Sequence, residues 1–211
     1  LRGLSSPETS RQGNFFGVLG MALAIFVTFL SVDILFVGFI FVVCTLAIGG
    51  TIGAVVAYRI SMTAMPQLVA LFNGFGGVAS VLVAGAELLK QVELFHQNGV
   101  SPPEDVLIAT ATTAIIGAIT FWGSLIAFGK LQELRWFRRP FGFPGQQAIN
   151  VVLAVACIAV TAWMVVSGSG SSDFGTNAVQ IFVLLTVLAS MAALAHLARL
   201  VSVNAPHPWI D

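Results

Sequence analysis

The chain has 211 residues, 57% of them hydrophobic and only 9% charged, with a mean hydropathy of +0.96, which excludes an ordinary water-soluble domain. Nine Lys and Arg balance nine Asp and Glu, so no basic face is available to track phosphates, and nucleic acid is not expected as a partner. Cys44 and Cys157 each lie inside a long apolar run, where a thiol behaves as a small hydrophobe and a disulfide framework has no support.

Residues 1–14 hold Arg2, Pro7, Glu8 and Arg11, with no signal-peptide pattern and no initiator Met. They are expected to be a cytoplasmic lead-in to a fragment or processed chain. A bilayer core of about 30 Å takes about 20 apolar helical residues, because backbone amides in lipid must be satisfied within the segment. Six stretches meet that length, near 15–32, 34–57, 66–89, 106–129, 146–166 and 177–201. Asp33 separates the first two, and Arg59 to Thr63 the next pair. Residues 91–105 hold Asn98-Gly99 and Pro102-Pro103; the last two breaks are the Pro-rich Arg138 to Pro144 and the Ser/Gly run 167–172. The expected fold class is an all-α integral membrane protein, a bundle of about six transmembrane helices over 15–201 with a divergent tail at 202–211.

Cations fix the orientation, because Lys and Arg in short loops are retained in the cytoplasm. Arg2, Arg11, Arg59, Lys130, Arg135, Arg138, Arg139 and Arg199 fall on one side of the six-span arrangement, and only Lys90 on the other. Asp33, Glu93, Glu104, Asp105 and Asp173 lie on the opposite side from the cation cluster. Both termini and the Lys130 to Pro144 loop are therefore expected to be cytoplasmic.

Small residues at four-residue spacing, Gly13 and Gly17, Gly49 and Gly53, Gly123 and Ala127, read as ordinary close packing of helices in lipid. Gly74, Gly76 and Gly77 sit inside an apolar span without the strand, Lys and Ser/Thr of a phosphate-binding loop. Asp33, Glu87, Lys90 and Lys130 mark span ends and read as interfacial anchors. Within the spans the polar residues are nearly all neutral: Ser80, Thr110, Thr112, Thr113, Gln180, Ser190 and three of greater interest. Asn73 is a full amide about eight residues into its span, and its hydrogen-bonding sites need partners there. An interhelical hydrogen bond and the wall of a water or proton path both answer that need. Thr120 and Ser124 are one turn apart and could line the same path, although hydroxyls more often bond back to their own helix. His196, one turn before Arg199, is shallow and reads as interfacial. No metal-ligand set, dinucleotide motif or nucleophile-base-acid set is present, so no catalytic, cofactor-binding or metal residue is assigned.

Gly3-Leu-Ser-Ser-Pro-Glu-Thr-Ser-Arg-Gln-Gly-Asn14, then Gly20-Met21, Gly49-Gly-Thr-Ile-Gly53, Arg59 and Met65-Pro-Gln-Leu-Val-Ala70 run in order along the chain. Gly117-Ala-Ile-Thr-Phe-Trp-Gly-Ser-Leu-Ile-Ala-Phe-Gly-Lys-Leu131 and Phe143-Pro-Gly-Gln-Gln-Ala-Ile-Asn150 follow. Together they resemble the membrane domain of the beta subunit of proton-translocating NAD(P) transhydrogenases, over roughly residues 3–197. The resemblance implies an oxidoreductase and translocase subunit in the bacterial inner membrane, surrounded by lipid. It implies inward proton movement coupled to hydride transfer from NADH to NADP+, an alpha-subunit partner and a dimeric complex. NAD(H) and NADP(H) would be bound elsewhere in the complex and not by this chain. The NADP(H)-binding domain is expected to dock near Arg59, Lys130 and Arg135. Ser124 matches a serine of the family's channel helix, whereas Asn73 replaces a histidine that many members carry and cannot titrate. A partner-subunit histidine is expected to take over, with Asn73 orienting water or that histidine. By the resemblance the family would carry a helix before Leu1, and a Gly-Gly-Ala-Asp-Met-Pro type motif, further spans and a nucleotide domain after Leu197, which this chain is expected to lack. A truncated or frame-disrupted subunit, inactive unless the missing parts come from another chain, is the expectation; a stand-alone channel or transporter is the alternative.

Overall fold

The computed structural model describes residues 9–31, 36–134, 145–168 and 174–203. Among them every extended element is an α-helix: α1 (Ser10–Ser31), α2 (Phe36–Arg59), α3 (Met65–Asn98), α4 (Glu104–Leu131), α5 (Gln146–Gly168) and α6 (Phe174–Val203). All six are long and apolar enough to cross a membrane. A helix that is apolar on every side has no solvated face and is at home in lipid or within a bundle.

The helices fall into two compact units, 1–60 and 61–211. The first holds α1 and α2, where the Phe29 and Phe39 rings meet edge to face with centroids 5.7 Å apart. Its side chains are largely exposed within the unit, among them Phe16, Leu30, Phe41 and Ile48, as expected for surfaces whose solvent is acyl chain.

The second unit holds a 3₁₀ turn, Met62–Ala64, and α3 to α6. The interface of α3 with α4 is the most extensive; α6 packs on α3, α4 and α5, and α4 also meets α5. Its centre is Leu88 of α3, Leu107, Ala111 and Ala114 of α4, Met164 of α5, and Leu185 and Ala189 of α6, all buried. The alanines let backbones approach, which is how helices gain dispersion energy where lipid removes the hydrophobic advantage of association.

Backbone chemistry, not hydropathy, sets the helix ends. Pro66 sits in the first turn of α3, where its missing N–H costs nothing. The apolar run stops near Leu89, but α3 continues through the polar turns 90–97 until Gly99 takes a left-handed conformation (φ 64°) and donates its N–H to Phe95 O at 2.9 Å. Glu104 and Asp105 open α4, and Lys130 lies in its last turn, each sign placed to favour the helix dipole. At the far end of α4, Leu134 N–H reaches Gly129 O at 3.1 Å and Glu133 N–H reaches Lys130 O at 2.9 Å, closing a Schellman motif with Glu133 at φ 52°.

Candidate functional site

The seam between α3 and α4 is built on three glycines. A Cβ placed on Gly77 would lie 2.6 Å from Gly117 O and 2.7 Å from Phe121 N, and one placed on Gly117 would lie 2.6 Å from Gly77 O. Backbone therefore touches backbone, and only hydrogen fits between. A Cβ on Gly74 would sit 3.3 Å from Ser124 Cβ, so that glycine brings Ser124 close to α3. Three glycines of the four-residue stripes, Gly17, Gly49 and Gly53 of the first unit, make no such contact: a Cβ on any of them meets nothing within 4 Å.

At the same seam Asn73 Nδ2 donates to Ser124 Oγ at 2.7 Å. Ser124 is buried and Asn73 exposed within this unit, so the pair runs from the interior of the seam to its surface. The contrast with other hydroxyls is informative. Ser80 bonds back to Gly76 O at 2.9 Å, Thr161 to Cys157 O at 2.8 Å and Ser190 to Thr186 O at 2.8 Å, the usual arrangement in an apolar helix. Ser124 instead accepts from another helix. Thr120, one turn earlier on α4, lies at the same seam, its Cβ 3.1 Å from a Cβ placed on Gly77.

The remaining sequence candidates lie elsewhere. Arg59 is exposed at the end of α2 in the first unit, Lys130 is half-buried in the last turn of α4 in the second, and Arg135 lies outside the described residues. His196 is exposed on α6. Thr110 is buried on α4, whereas Thr112 and Gln180 are exposed.

Gln67, Gln132 and Gln146, absent from the sequence candidates, join helix ends. Gln67 Nε2 donates to Leu131 O at 2.8 Å, and Gln132 Nε2 donates to Gln67 Oε1 at 3.0 Å, so the start of α3 is clasped to the end of α4. The buried Gln146 likewise donates its Nε2 to Ala195 O, tying α5 to α6. Amides within a turn of a span's end, on helices ending at one side, were the available signal; an amide side chain can satisfy the terminal carbonyls that a helix leaves open. Gln67→Ala is expected to cost little stability, about 0.6 kcal/mol, yet to raise amide hydrogen exchange over residues 132–134 severalfold relative to the centre of α4. Unchanged exchange there would show that the Schellman motif alone holds this end.

A family model described as NAD(P) transhydrogenase beta subunit matches residues 1–203. Two curated sequences named NAD(P) transhydrogenase subunit beta, both from Rhodospirillum rubrum, are 44% identical to this chain over 146 residues. That alignment covers 69% of this chain and 31% of each relative. The chain thus spans well under two thirds of the curated relatives it matches.

Proposed function

This chain belongs to the NAD(P) transhydrogenase beta-subunit family, and we propose that it supplies part of the membrane domain that conducts protons inward while hydride passes from NADH to NADP+. Its partners in that reading are an alpha subunit, the NADP(H)-binding domain of the assembled enzyme and the lipid of a bacterial inner membrane. Both termini face the cytoplasm, and the complex is dimeric. In this reading NAD(H) and NADP(H) are held by other parts of the complex, and no step of hydride transfer is assigned to the described residues, whose extended elements are all α-helices.

The observation that supports the reading is the bond from Asn73 to Ser124 across two apolar helices. Such a bond places an amide and a hydroxyl, each able both to donate and to accept, in two spans where few other polar groups are available. Neither group carries a proton as a charge near neutral pH. Together they can orient water, or a titrating group from a partner, and so hold a path open without storing the proton. Coupling then requires that a protonation event in the membrane change nucleotide affinity outside it, and that nucleotide binding change proton affinity by the same factor.

The test is reconstitution into proteoliposomes of the complete complex as purified from its native membrane with this chain in it. Hydride transfer is expected to speed up severalfold when an uncoupler collapses the back-pressure of pumped protons. Vesicles holding this chain alone are expected to show no proton leak above lipid. A leak from the single chain would instead establish a stand-alone channel.

A further inference from the structure

We propose that the cleft among α4, α5 and α6 seats an acyl chain of an anionic phospholipid whose phosphate is drawn to Lys130 and Arg199, a role independent of the proton-path reading. The cleft holds about 240 Å³ and is bounded by Ile119 and Gly123 of α4, Asn150 and Ala154 of α5, and Ala192 and His196 of α6. Gly123, Ala154 and Ala192 supply nothing larger than a methyl group, so the opening lies where each of three helices presents a small residue. Its surface is almost wholly apolar. Asn150 borders it, but the Oδ1 of that amide is buried, so hydrocarbon in the cleft covers no open amide oxygen.

Apolar space in a membrane is filled by hydrocarbon, from lipid or from protein. A helix with its side chains is about 10–12 Å across, too broad to enter a cleft of this volume, whereas an acyl chain is thin enough to enter it. Depth agrees. Lys130 stands about two turns, or about 10 Å, beyond Gly123 and about 16 Å beyond Ile119, and half of a hydrocarbon core is about 15 Å. A phosphate level with Lys130 therefore puts the middle and end of its acyl chain at the cleft. Lys130 also returns to nearly the face of Gly123, because their separation is close to two full turns. The polar ends of the other walls come at matching places: Arg199 follows one turn after His196, and Gln146 stands one turn before Asn150.

Charge at the mouth selects the head group. Lys130 and Arg199 stand toward the ends of α4 and α6, and Arg135, Arg138 and Arg139 follow Lys130 in the sequence, with Glu133 the single acid over residues 130–145. An ammonium has three donors, so Lys130 can serve a phosphate beside a partner at its own helix end. Basic pockets between membrane helices are the usual seats of anionic head groups. The groove between α3 and α6, about 340 Å³ with Val81, Gly85, Val179 and Phe182 among its walls, provides the contrast within the same unit. It is apolar too, yet the charged residues along α3 there are Glu87, Lys90 and Glu93, with Lys90 Nζ 3.9 Å from Glu87 Oε2. Both spaces have the shape for hydrocarbon, and the cleft alone of the two adds a cationic rim.

The test is photo-crosslinking in the complete complex as purified from its native membrane with this chain in it. Nanodiscs are made with phosphatidylglycerol or phosphatidylcholine carrying a diazirine on one acyl chain, and adducts are mapped by peptide mass spectrometry. Adducts on residues 119–123, 150–154 and 192–196 are expected to be at least about fivefold more abundant from phosphatidylglycerol, the preference that one cation near a head group confers. In the groove between α3 and α6 the two lipids should differ by less than about twofold. Lys130→Gln with Arg199→Gln should bring the two yields at the cleft level, and Ala154→Leu, which fills the cleft from α5, should remove most adducts of both lipids. Equal yields at the cleft in the unaltered chain would overturn the proposal whichever variants fold, and so would a preference that survives the double substitution. A cleft without adducts beside a well-labelled α3 and α6 groove would overturn it as well, and would mark the cleft as a contact with another subunit.

Discussion

Gly77→Ala is expected to destabilise the packing of α3 on α4 by about 1–3 kcal/mol, the range for forcing a methyl group into a filled interface. Helix propensity pulls the other way, since alanine is better than glycine in a helix interior by roughly 0.5–1 kcal/mol. The clash wins because of what the new Cβ meets. Gly117 O, at 2.6 Å, and Phe121 N, at 2.7 Å, are backbone atoms of the facing helix. They cannot rotate aside as a side chain could, so the helices must separate along the seam and weaken the bond from Asn73 to Ser124 with them. Gly76→Ala supplies the control on the same helix, because a Cβ there meets nothing within 4 Å. It should be neutral or stabilising by up to about 1 kcal/mol. Thermal unfolding of the two variants in lipid nanodiscs decides the matter, and equal midpoints would rule out a backbone-to-backbone seam.

This seam also shows where sequence reading stops. The six spans are legible because lipid demands length and apolarity, properties of single segments. Glycines at four-residue spacing are legible for the same reason, yet the backbone-to-backbone contact uses Gly77 from one helix and Gly117 from another. Nothing within either helix announces that pairing. Asn73 and Ser124 each stand out as polar groups in apolar runs, but they are 51 residues apart, and only the packing of α3 on α4 joins them. Gln67 and Gln132 are farther apart still, at 65 residues, and each looks like an ordinary interfacial amide until the helix ends are brought together. The end of α3 fails differently: hydropathy fades near Leu89, while hydrogen bonding carries the helix to the left-handed Gly99. Elements follow from local chemistry, whereas contacts among helices in lipid depend on steric fit, for which the periodicity of one segment gives no register.

Asn73→Leu separates a structural amide from a functional one. The bond to Ser124 is a single interhelical hydrogen bond, and such bonds in membranes contribute about 0.6 kcal/mol on average. Asn73 is exposed within its unit and leucine is well suited to lipid, so the variant should unfold within about 1 kcal/mol of the parent. If the amide orients water or a partner's titrating group, proton-coupled hydride transfer in the assembled complex should nonetheless fall at least tenfold, a barrier change of about 1.4 kcal/mol. Ser124→Ala removes the acceptor but leaves the amide, and should cost less than Asn73→Leu. Asn73→His adds the sharper discrimination: it keeps a hydrogen-bonding ring at the seam and introduces a group whose ordinary pKa is about 6.5. Activity should be retained and acquire a new dependence on pH near neutrality. A leucine variant with full coupled activity would make the contact packing and nothing more. A stable but uncoupled leucine variant, with the histidine variant active, would place the amide on the proton path, because only hydrogen-bonding capacity distinguishes the two substitutions at one position of one helix.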